Sequence, residues 1–436
     1  MASSNDKGVT AIKNKILAGC TVFTLLLASA CGKSAAPDSQ PATPAAAPNT
    51  PPKPVTLNYY TNLSKNDMEF ETSIIQKKFP HITINPMFYS AQLKIQDLAT
   101  TGSIPDLVNY TIGSLWDFRD ANLLADLQPF VKKFNLDMSR FLPNVMDSVQ
   151  AYSEKGEMLF IPYTLSTNVL YYNKNIFNKF GVPFPKDGIT WTDVNELAKK
   201  LTREDGGVKY KGFQFQLQNL TWKNQLMLPL VDPATNKTII NNAGWRQWLE
   251  TMGAPLLIKG NEVGGSFDKA MDVAMYSGPN LLSNLEEPMK NGLDWDVIAL
   301  PSFPGSTTVG TQMISPFYGI PPKGSNMDQA FEVIAYMLSE EVQTLKSRKG
   351  KVPIINSDTA AKQYGKDIPG IEGKNLEAFF KDKVGKPFKT TKYDDIAKTV
   401  IYTELLPGYY KGGSDLNTLF RTAEENINKK IEEKLR

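Results

Sequence analysis

Aromatic and amide side chains stand together where short strand-like runs end. Tyr60 and Asn62 close the run that starts at Val55, and Asn109 and Tyr110 close the run that starts at Asp106. Sugars present flat C–H faces beside hydroxyl groups, so a site for them needs aromatic rings to stack on and amides or carboxylates to hydrogen-bond. These residues have that chemistry, although a tyrosine beside a strand is also common in a packed core.

Two tryptophans extend this set. Trp116 follows Tyr110 on a predicted helix, and Trp222 lies in the amide-rich stretch from Gln216 to Asn224. So many amides around one large ring are unusual for a core element, which favours Trp222 as a binding residue. We expect Tyr60, Tyr110 and Trp222 as stacking rings, with Asn62 and Asn109 as polar partners.

Residue types for acid, base or metal chemistry are scarce. His81 is the single histidine, so neither a Ser-His-Asp triad nor a histidine-based metal centre can be built. A glycosidase needs only two carboxylates, but the acidic pairs Glu286–Glu287 and Asp294–Asp296 lie on segments typical of a solvated surface. We expect no catalysis, no cofactor and no metal, and a polysaccharide hydrolase remains the alternative.

Charge and length narrow the class further. The chain has 436 residues, and its 48 basic and 45 acidic side chains give a net charge of +3. The two signs are mixed along the chain rather than blocked, which argues against nucleic acid as a partner. The length and a hydrophobic content of 41% predict more than one domain, each with its own core.

The first thirty residues have the pattern of an export signal. Three lysines precede an apolar run from Ile16 to Ala30, which is too short for a comfortable membrane span. The two cysteines, Cys20 and Cys31, each end a run of small residues that resembles a lipobox. Cleavage before Cys20 leaves almost no apolar segment upstream, so we predict a signal peptide over 1–30 and lipidation of Cys31. Ordinary cleavage after Ala30, without a lipid, is the alternative.

A tether follows the predicted anchor. Residues 32–54 are nearly all Ala, Pro, Ser, Thr and Lys, and prolines recur along them. Such a segment buries too little apolar surface to fold. As polyproline II it spans about 70 Å, enough to hold a folded part away from a membrane surface.

The folded part begins with alternating strands and helices. Runs at 55–60 and 82–89 flank a helical stretch at 66–78, which predicts parallel strands in a βαβ unit. The clearest helix start is Thr190, where Asp193 completes a capping box and Val194 begins an apolar stripe. Helices are also predicted at 327–339 and 415–435. The fold class is therefore α/β.

Several segments together resemble the extracellular solute-binding proteins, the family that includes the maltose-binding proteins. The strongest are a proline-bearing strand, a strand ending in Tyr-Tyr-Asn-Lys, a helix closed by Gly-Val-Pro and a Thr-Trp-x-Asp helix start. They lie at Ile161–Tyr163, Val169–Pro183 and Thr190–Val194, with further matches at Lys269–Pro279 and Trp295–Pro301 and weaker ones at Asp106–Tyr110 and Ala330–Gln343. The resemblance covers nearly all of the chain from Val55 to Arg436.

This resemblance implies a periplasmic-binding-protein-like fold, with two α/β lobes, several crossovers and a solute cleft between the lobes. The lobes are expected at 55–162 plus 266–314 and at 163–265 plus 315–436. Closure would be a hinge motion selected by the solute. The implied partners are a small solute, a sugar by analogy with the family, and the permease subunits of an ABC importer, with the chain as an exported, lipid-anchored monomer. A sensor or adhesin on the same fold is the other alternative.

Two cleft segments depart from the family pattern. Many relatives carry an aromatic residue after Gly278-Pro279, whereas this chain has Asn280, for which Tyr276 is the candidate replacement. Relatives often have a glycine pair where this chain has Ser315 to Tyr318. We therefore include Tyr276, Asn280 and Tyr318 among the predicted solute contacts and expect a solute that differs from those of familiar members.

Overall fold

Ten strands are present in the part of the chain that the structure describes. The computed structural model describes residues 52–306, 310–313 and 315–436. The strands are β1 (Val55–Thr61), β2 (Ile82–Phe88), β3 (Leu107–Thr111), β4 (Ile161–Pro162), β5 (Val169–Asn173), β6 (Arg203–Asp205), β7 (Val208–Phe215), β8 (Val273–Gly278), β9 (Trp295–Ile298) and β10 (Pro316–Gly319). The predicted signal peptide, Cys31 and nearly all of the tether lie outside the described residues.

Helices surround these strands. The α-helices are α1 (Lys65–Lys78), α2 (Ile95–Thr100), α3 (Leu115–Asp120), α4 (Gln128–Lys133), α5 (Pro143–Gln150), α6 (Lys174–Lys179), α7 (Trp191–Leu201), α8 (Leu217–Trp222), α9 (Ala243–Gly253), α10 (Glu286–Lys290), α11 (Met327–Met337), α12 (Glu340–Arg348), α13 (Asp358–Lys362), α14 (Ala378–Lys381), α15 (Asp394–Val400), α16 (Leu406–Lys411) and α17 (Leu416–Leu435). Short 3-10 turns lie at Ile112–Ser114, Met138–Arg140, Ala254–Leu257 and Leu282–Asn284, and a π turn at Ile401–Leu405. In the residues described, no helix has both the length and the hydropathy needed to cross a membrane.

The start of α7 shows how local sequence sets an element. The Thr190 hydroxyl accepts a hydrogen bond from the Asp193 amide at 3.2 Å, and the Asp193 carboxylate accepts one from the Thr190 amide at 2.8 Å. This reciprocal capping satisfies amides that the helix leaves unpaired. Trp191, Val194, Ala198 and Leu201 form the buried face, as their spacing predicts.

The first sheet has the strand order β2-β1-β3-β10-β4. β1 pairs in parallel with β2 and with β3, which confirms the predicted βαβ unit. β10 is antiparallel to both β3 and β4, so β4 runs in the same direction as β1, β2 and β3. The carboxyl ends of these four strands therefore share one edge of the sheet.

The second sheet has the order β6-β7-β8-β5-β9. β7 pairs in parallel with β8, and β5 is antiparallel to β8 and β9. The carboxyl ends of β7, β8 and β9 therefore lie at the edge where β5 begins. Each sheet is covered by apolar side chains from the helices around it, as an α/β core requires.

The strand assignment corrects the predicted lobe boundaries. β8 and β9, predicted in the first lobe, are hydrogen-bonded to β5 in the second sheet, and β10, predicted in the second lobe, lies between β3 and β4 in the first. Crossings near Tyr163 and Ser315 do exist, but the second leads back to the first sheet. From its sequence, a buried apolar run such as β8 could belong to either sheet. Its hydrogen-bonded pairing with β5, in which Tyr171 lies opposite Tyr276, assigns it to the second sheet.

Three segments therefore connect the two halves. Two of them are 163–168 and 311–315. The third lies between Asp367, whose amide donates to the Arg348 carbonyl of α12, and Lys374, whose Nζ atom lies 3.1 Å from Asp294 beside β9. The first crossover meets the segment 352–357, which follows α12, in a bridge between Leu165 and Val352. Gln343 of α12, which is fully buried, joins them again: its amide donates to the Tyr163 carbonyl at 3.2 Å, and its oxygen accepts from the Ile354 amide at 3.2 Å. The start of the first crossover is thus held to the segment 352–357.

Candidate functional site

The strand ends of the two sheets face each other across the crossovers. β4 ends at Pro162, where the crossover 163–168 begins, and β5 begins at Val169, where it ends. The carboxyl edge of the first sheet and the corresponding edge of the second are therefore joined by this short segment. Ligands of open α/β sheets bind outside the carboxyl ends of strands, so the space between these edges is the candidate site.

The two edges touch at a glycine and a tryptophan. Gly113, in the turn after β3, lies so close to Trp222 that an added Cβ would be 3.9 Å from the Trp222 Cζ3 atom. Beside this contact is a cavity of about 60 Å³. From the first-sheet side it is lined by Gly113, Trp116, Asp117 and Asp120, and from the second by Trp222, Thr390, Thr391, Lys392, Asp394, Asp395 and Lys434. We call this space the solute cleft.

Two indole rings line the solute cleft. Trp222 ends α8, which directly follows β7, and is 8% exposed. The Nζ atoms of Lys223 and Lys398 lie 4.7 and 4.9 Å from the centre of its ring. Trp116, on α3, has the Arg119 guanidinium 5.0 Å from its ring centre. Neither indole N–H has a hydrogen-bond partner among the described residues, and both nitrogens are buried in this arrangement of the halves.

Carboxylates from both halves meet at the cleft. Asp117 and Asp120 come from α3, and Asp394 and Asp395 from the start of α15. Burial raises the pKa of Asp117, and the negative charge of Asp395 across the cleft raises this pKa further. The side chains of the two halves therefore repel weakly at this point, and hydroxyl or cationic donors placed between them relieve that repulsion.

A lysine is buried directly behind Trp222. The Lys223 Nζ atom lies 5.1 Å from the Tyr152 ring, which belongs to the first-sheet half, and 5.0 Å from the Phe388 ring. Burial lowers the pKa of Lys223, and it raises the pKa of Asp394, whose carboxylate also accepts from the Thr391 hydroxyl at 3.0 Å. The charges of Lys223 and Asp394 oppose these shifts, because each favours the charged form of the other.

The predicted rings of the first sheet lie behind the cleft rather than in it. Tyr60 is fully buried, and its hydroxyl donates to the Leu93 carbonyl at 3.0 Å. Tyr110 stacks on Tyr60, with ring centres 5.8 Å apart, and meets the exposed Tyr89 edge-on. Of the three predicted stacking rings, the structure brings only Trp222 to the lining of the solute cleft, which Trp116 also lines.

The predicted amides differ in placement. Asn62 is exposed beyond the end of β1. Asn109 is fully buried in β3, and neither atom of its side-chain amide has a hydrogen-bond partner in the described part of the chain. Neither residue lines the cleft.

Three further predicted contacts are also held away from it. Tyr276 is half-buried beside Tyr171 and Phe267, and the Asn280 amide donates to the Gly350 carbonyl. Tyr318 is fully buried. Its hydroxyl donates to Glu71 and accepts from Lys346 in the core behind the first sheet. This burial corrects the expected placement of Tyr318 at the cleft.

Sequence reasoning missed the carboxylates of the cleft. Asp117 and Asp120 stand three residues apart beside Trp116, a spacing that puts two side chains on one helix face, so they were within reach of a sequence argument. Asp394 and Asp395 were not, because α15 returns to Trp222 from far along the chain and no local pattern marks that contact.

Comparison with known proteins identifies related sequences. A family model described as bacterial extracellular solute-binding protein matches residues 64–344, more than half of the chain. An sn-glycerol-3-phosphate-binding periplasmic protein of Rhizobium meliloti is 41% identical over 70 residues, which cover 16% of this chain and 15% of that protein. A mannitol-binding protein of Pseudomonas aeruginosa is 32% identical over 115 residues, covering 26 and 24%. These curated relatives are thus matched over a minor part of their length.

Solved structures match over far more of the chain. An ABC substrate-binding protein from Listeria monocytogenes in complex with cycloalternan superposes with a TM-score of 0.69 at 18% identity, covering 87% of this chain and 100% of that one. A solute-binding protein from Agrobacterium vitis S4 with bound D-mannitol gives a TM-score of 0.63 at 17% identity, covering 87 and 99%. At such identities the likeness is one of fold, and it confirms the predicted periplasmic-binding-protein-like α/β architecture.

Proposed function

The chain belongs to the bacterial extracellular solute-binding protein family, and on that premise we propose that it is the solute receptor of an ABC importer. Its solute is a small polyhydroxyl compound, a sugar or a sugar alcohol, which it delivers to a membrane permease. Sequence relatives named for glycerol 3-phosphate and mannitol, and structures holding cycloalternan and D-mannitol, support this class.

The observation that carries the proposal is the pairing of Trp116 with Trp222 across the solute cleft, among four carboxylates. Indole faces pack on the C–H faces of a sugar, and carboxylates accept hydrogen bonds from its hydroxyls. Because the two rings come from opposite halves, a solute touches both only when the halves are together. Such a solute favours the closed arrangement by the free energy of those additional contacts.

Binding requires movement of the two halves. The cleft volume of about 60 Å³ is far below the roughly 300–1,000 Å³ of sites that enclose a typical small-molecule ligand. A solute therefore enters when the halves separate, and the crossovers at 163–168, at 311–315 and between Asp367 and Lys374 are the segments about which they rotate.

In this proposal the protein binds and releases the solute without altering it chemically. The acidic pairs that suggested a hydrolase are engaged elsewhere: Asp294 bonds with Lys174 and Lys374, and Glu286 with Lys290 on the same helix. Neither pair lines the solute cleft. A receptor at the outer face of the cell membrane, held by a lipid on Cys31 through the tether 32–54, completes the proposal.

Calorimetric titration of the full chain tests the receptor function. Mannitol, maltose, glycerol 3-phosphate and a peptide mixture are compared, and we expect binding of one polyhydroxyl class. Trp222→Ala removes a stacking ring and should weaken that binding tenfold or more, about 1.4 kcal/mol. Phe184→Ala, at an exposed ring of the second half, is the matched control and should leave it unchanged. No binding of any soluble solute, together with release of reducing sugar from a polysaccharide, would instead support the hydrolase.

A further inference from the structure

A lysine without a polar partner is buried where the two halves meet. Lys223 is 3% exposed. Its Nζ atom lies 4.7, 5.0 and 5.1 Å from the centres of three rings, those of Trp222, Phe388 and Tyr152. Within the described part of the chain, this ammonium group has no hydrogen-bond acceptor and no carboxylate at ion-pair distance. Buried charged groups are almost always paired, so an unpaired one requires a physical reason.

A second lysine of the described residues, Lys346, is equally buried but paired. Its Nζ atom lies 3.5 Å from a Glu71 carboxylate oxygen and donates to the Tyr318 hydroxyl at 3.2 Å. All three side chains belong to the core behind the first sheet, inside one half. Lys346 is thus paired where its burial is permanent, whereas Lys223 is unpaired where burial depends on how the halves are placed.

The charges around Lys223 compensate it only in part. Asp394 is 4% exposed and lines the solute cleft, and its carboxylate accepts from the Thr391 hydroxyl at 3.0 Å. Lys398, which is paired with Asp395, repels the Lys223 ammonium. Burial lowers the pKa of Lys223 and raises the pKa of Asp394, although the attraction between these two groups opposes both shifts. For both groups, therefore, the loss of hydration outweighs the attraction.

Separation of the halves would return these groups to water. Tyr152 belongs to the first-sheet half, where its ring centre lies 5.6 Å from that of Phe160 and 6.2 Å from that of Trp116. Lys223 follows α8 directly, and α15, which carries Asp394, packs on α8 in the second half. When the halves separate, Tyr152 moves away with the first half. One side of the Lys223 ammonium and the cleft side of Asp394 are then hydrated.

We propose that the desolvation of Lys223 and Asp394 opposes closure of the solute cleft, so that the solute-free chain is mainly open. The rings attract the ammonium group and offset part of this free energy. Two buried ions that are not in contact nevertheless lose more hydration than their attraction returns. A solute supplies the difference through its contacts in the closed form, so the two charges lower the affinity at which it is held. This last consequence rests on the proposed receptor function, whereas the balance of open and closed forms does not.

A distance measurement on the full chain, without any solute, tests that balance. Spin labels at Thr101→Cys and Glu433→Cys, in a chain with Cys20→Ser and Cys31→Ser, report the separation of the halves by electron spin resonance. The parent chain should show mainly the longer of two sets of distances. A parent chain with only the shorter distances overturns the proposal.

Removal of both buried charges should close the labelled chain. Lys223→Met with Asp394→Asn replaces the two charged groups by uncharged ones of similar size, and we expect the ratio of shorter to longer distances to rise about tenfold or more. Lys199→Met with Glu196→Gln is the matched control, because it removes the same two charges from an exposed pair on α7, and it should leave the distances unchanged. A charge-free variant as open as the parent, or an equal shift in the control, overturns the proposal.

Chemical labelling of the parent chain tests the hydration of Lys223 without any substitution. Trace acetic anhydride acetylates neutral amines that reach water, and mass spectrometry compares the lysines of one sample. Since the open chain exposes Lys223, we expect its acetylation rate to lie within about tenfold of that of the exposed Lys186. A slower rate shows that the ammonium group stays buried and overturns the proposal. Because neither experiment contains a solute, failure here leaves the receptor proposal standing.

Discussion

At the residue scale, a buried ion pair between α1 and α12 lies beside the start of the first crossover. Lys346 Nζ lies 3.5 Å from a Glu71 carboxylate oxygen, and the two side chains are 2 and 1% exposed. Glu71 also accepts from the Tyr59 hydroxyl at 2.8 Å. The Lys346 ammonium lies 3.7 Å from the centre of the Tyr163 ring, where the first crossover begins. Each charge is therefore acceptable in the core because the other is present.

Removal of one charge of the Lys346–Glu71 pair should lower the free energy of unfolding. Lys346→Met leaves the Glu71 carboxylate buried without its cation, and we expect a loss of about 3–5 kcal/mol in the free energy of unfolding. Chemical denaturation measures it. Lys290→Met, at the exposed pair with Glu286, is the control and should change stability little. The double variant Lys346→Met, Glu71→Leu should recover most of the loss, and a double variant as unstable as the single one would show that the pair is not the cause.

Asp382 makes stability depend on pH. Burial raises the pKa of Asp382 to about 6, despite the Leu300 amide that donates to its carboxylate at 2.9 Å. Between pH 4 and 6 the folded chain therefore holds a proton that the unfolded chain releases, so this group's contribution to stability falls as pH rises through that window. With allowance for partial solvent exposure, the contribution is about 1–2 kcal/mol.

Asp382→Asn should remove this dependence. The amide oxygen still accepts from Leu300, and no charge develops, so the variant should be more stable than the parent at pH 8 and equal to it near pH 4. Denaturation at the two pH values measures the difference. Asp147→Asn, on the exposed face of α5, is the control, and an equal gain at both pH values for Asp382→Asn would contradict the titration.

At the scale of elements, Gln343 links α12 to the start of the first crossover and to the segment 352–357. Its amide donates to the Tyr163 and Met337 carbonyls, and its oxygen accepts from the Ile354 amide, each at 3.2 Å. These are buried backbone groups, which are costly to leave unpaired. The side chain therefore fixes the segment 352–357 against the start of the first crossover.

Gln343→Met keeps the shape of the side chain but removes these bonds. We expect a loss of about 1–3 kcal/mol for the groups left unpaired, and faster hydrogen exchange at the Ile354 amide, measured by mass spectrometry. Gln128→Met, at an exposed position whose amide donates to the Gly156 carbonyl, should alter neither. Unchanged exchange at Ile354 in Gln343→Met would show that the segment 352–357 is held by other contacts.

The elements that sequence predicts well are those whose signals are local. α7 follows from Thr190 and Asp193 at its start and from its apolar stripe, and α17 was expected within a residue of its bounds. The sheet membership of β8 and β10 was wrong, because strand pairing joins residues far apart in the chain. The amide-rich neighbours of Trp222 favoured it as a binding residue, which stays a prediction, and it lines the solute cleft. The buried positions of Tyr60 and Tyr318 depend on Leu93, Glu71 and Lys346, contacts that no local pattern shows.

At the scale of the whole molecule, the two halves meet along the contact between α5 and the segment 384–391. The solute cleft lies at the end of this contact that Thr390 forms.

The proposed place of this receptor at the membrane depends on the first residues of the chain. Each buried methylene of an attached acyl chain contributes about 0.8 kcal/mol to membrane binding, and two chains hold a protein stably where one does not. In the proposal, lipidation at Cys31 would keep the chain at the membrane, and the tether 32–54 would give the folded part its reach. Cys20 lies within the predicted apolar run and would be removed with the signal peptide.

Cys31→Ser should release the chain from the membrane fraction into the medium or periplasm, whereas Cys20→Ser, the matched control, should leave it bound. Fractionation of expressing cells measures the distribution, and mass spectrometry of the mature amino terminus identifies the modified residue. Release by Cys20→Ser with retention of Cys31→Ser would place the anchor at the first lipobox. A parent chain found free, with an unmodified terminus after Ala30, would show ordinary signal cleavage, and the tether would then hold nothing at the membrane.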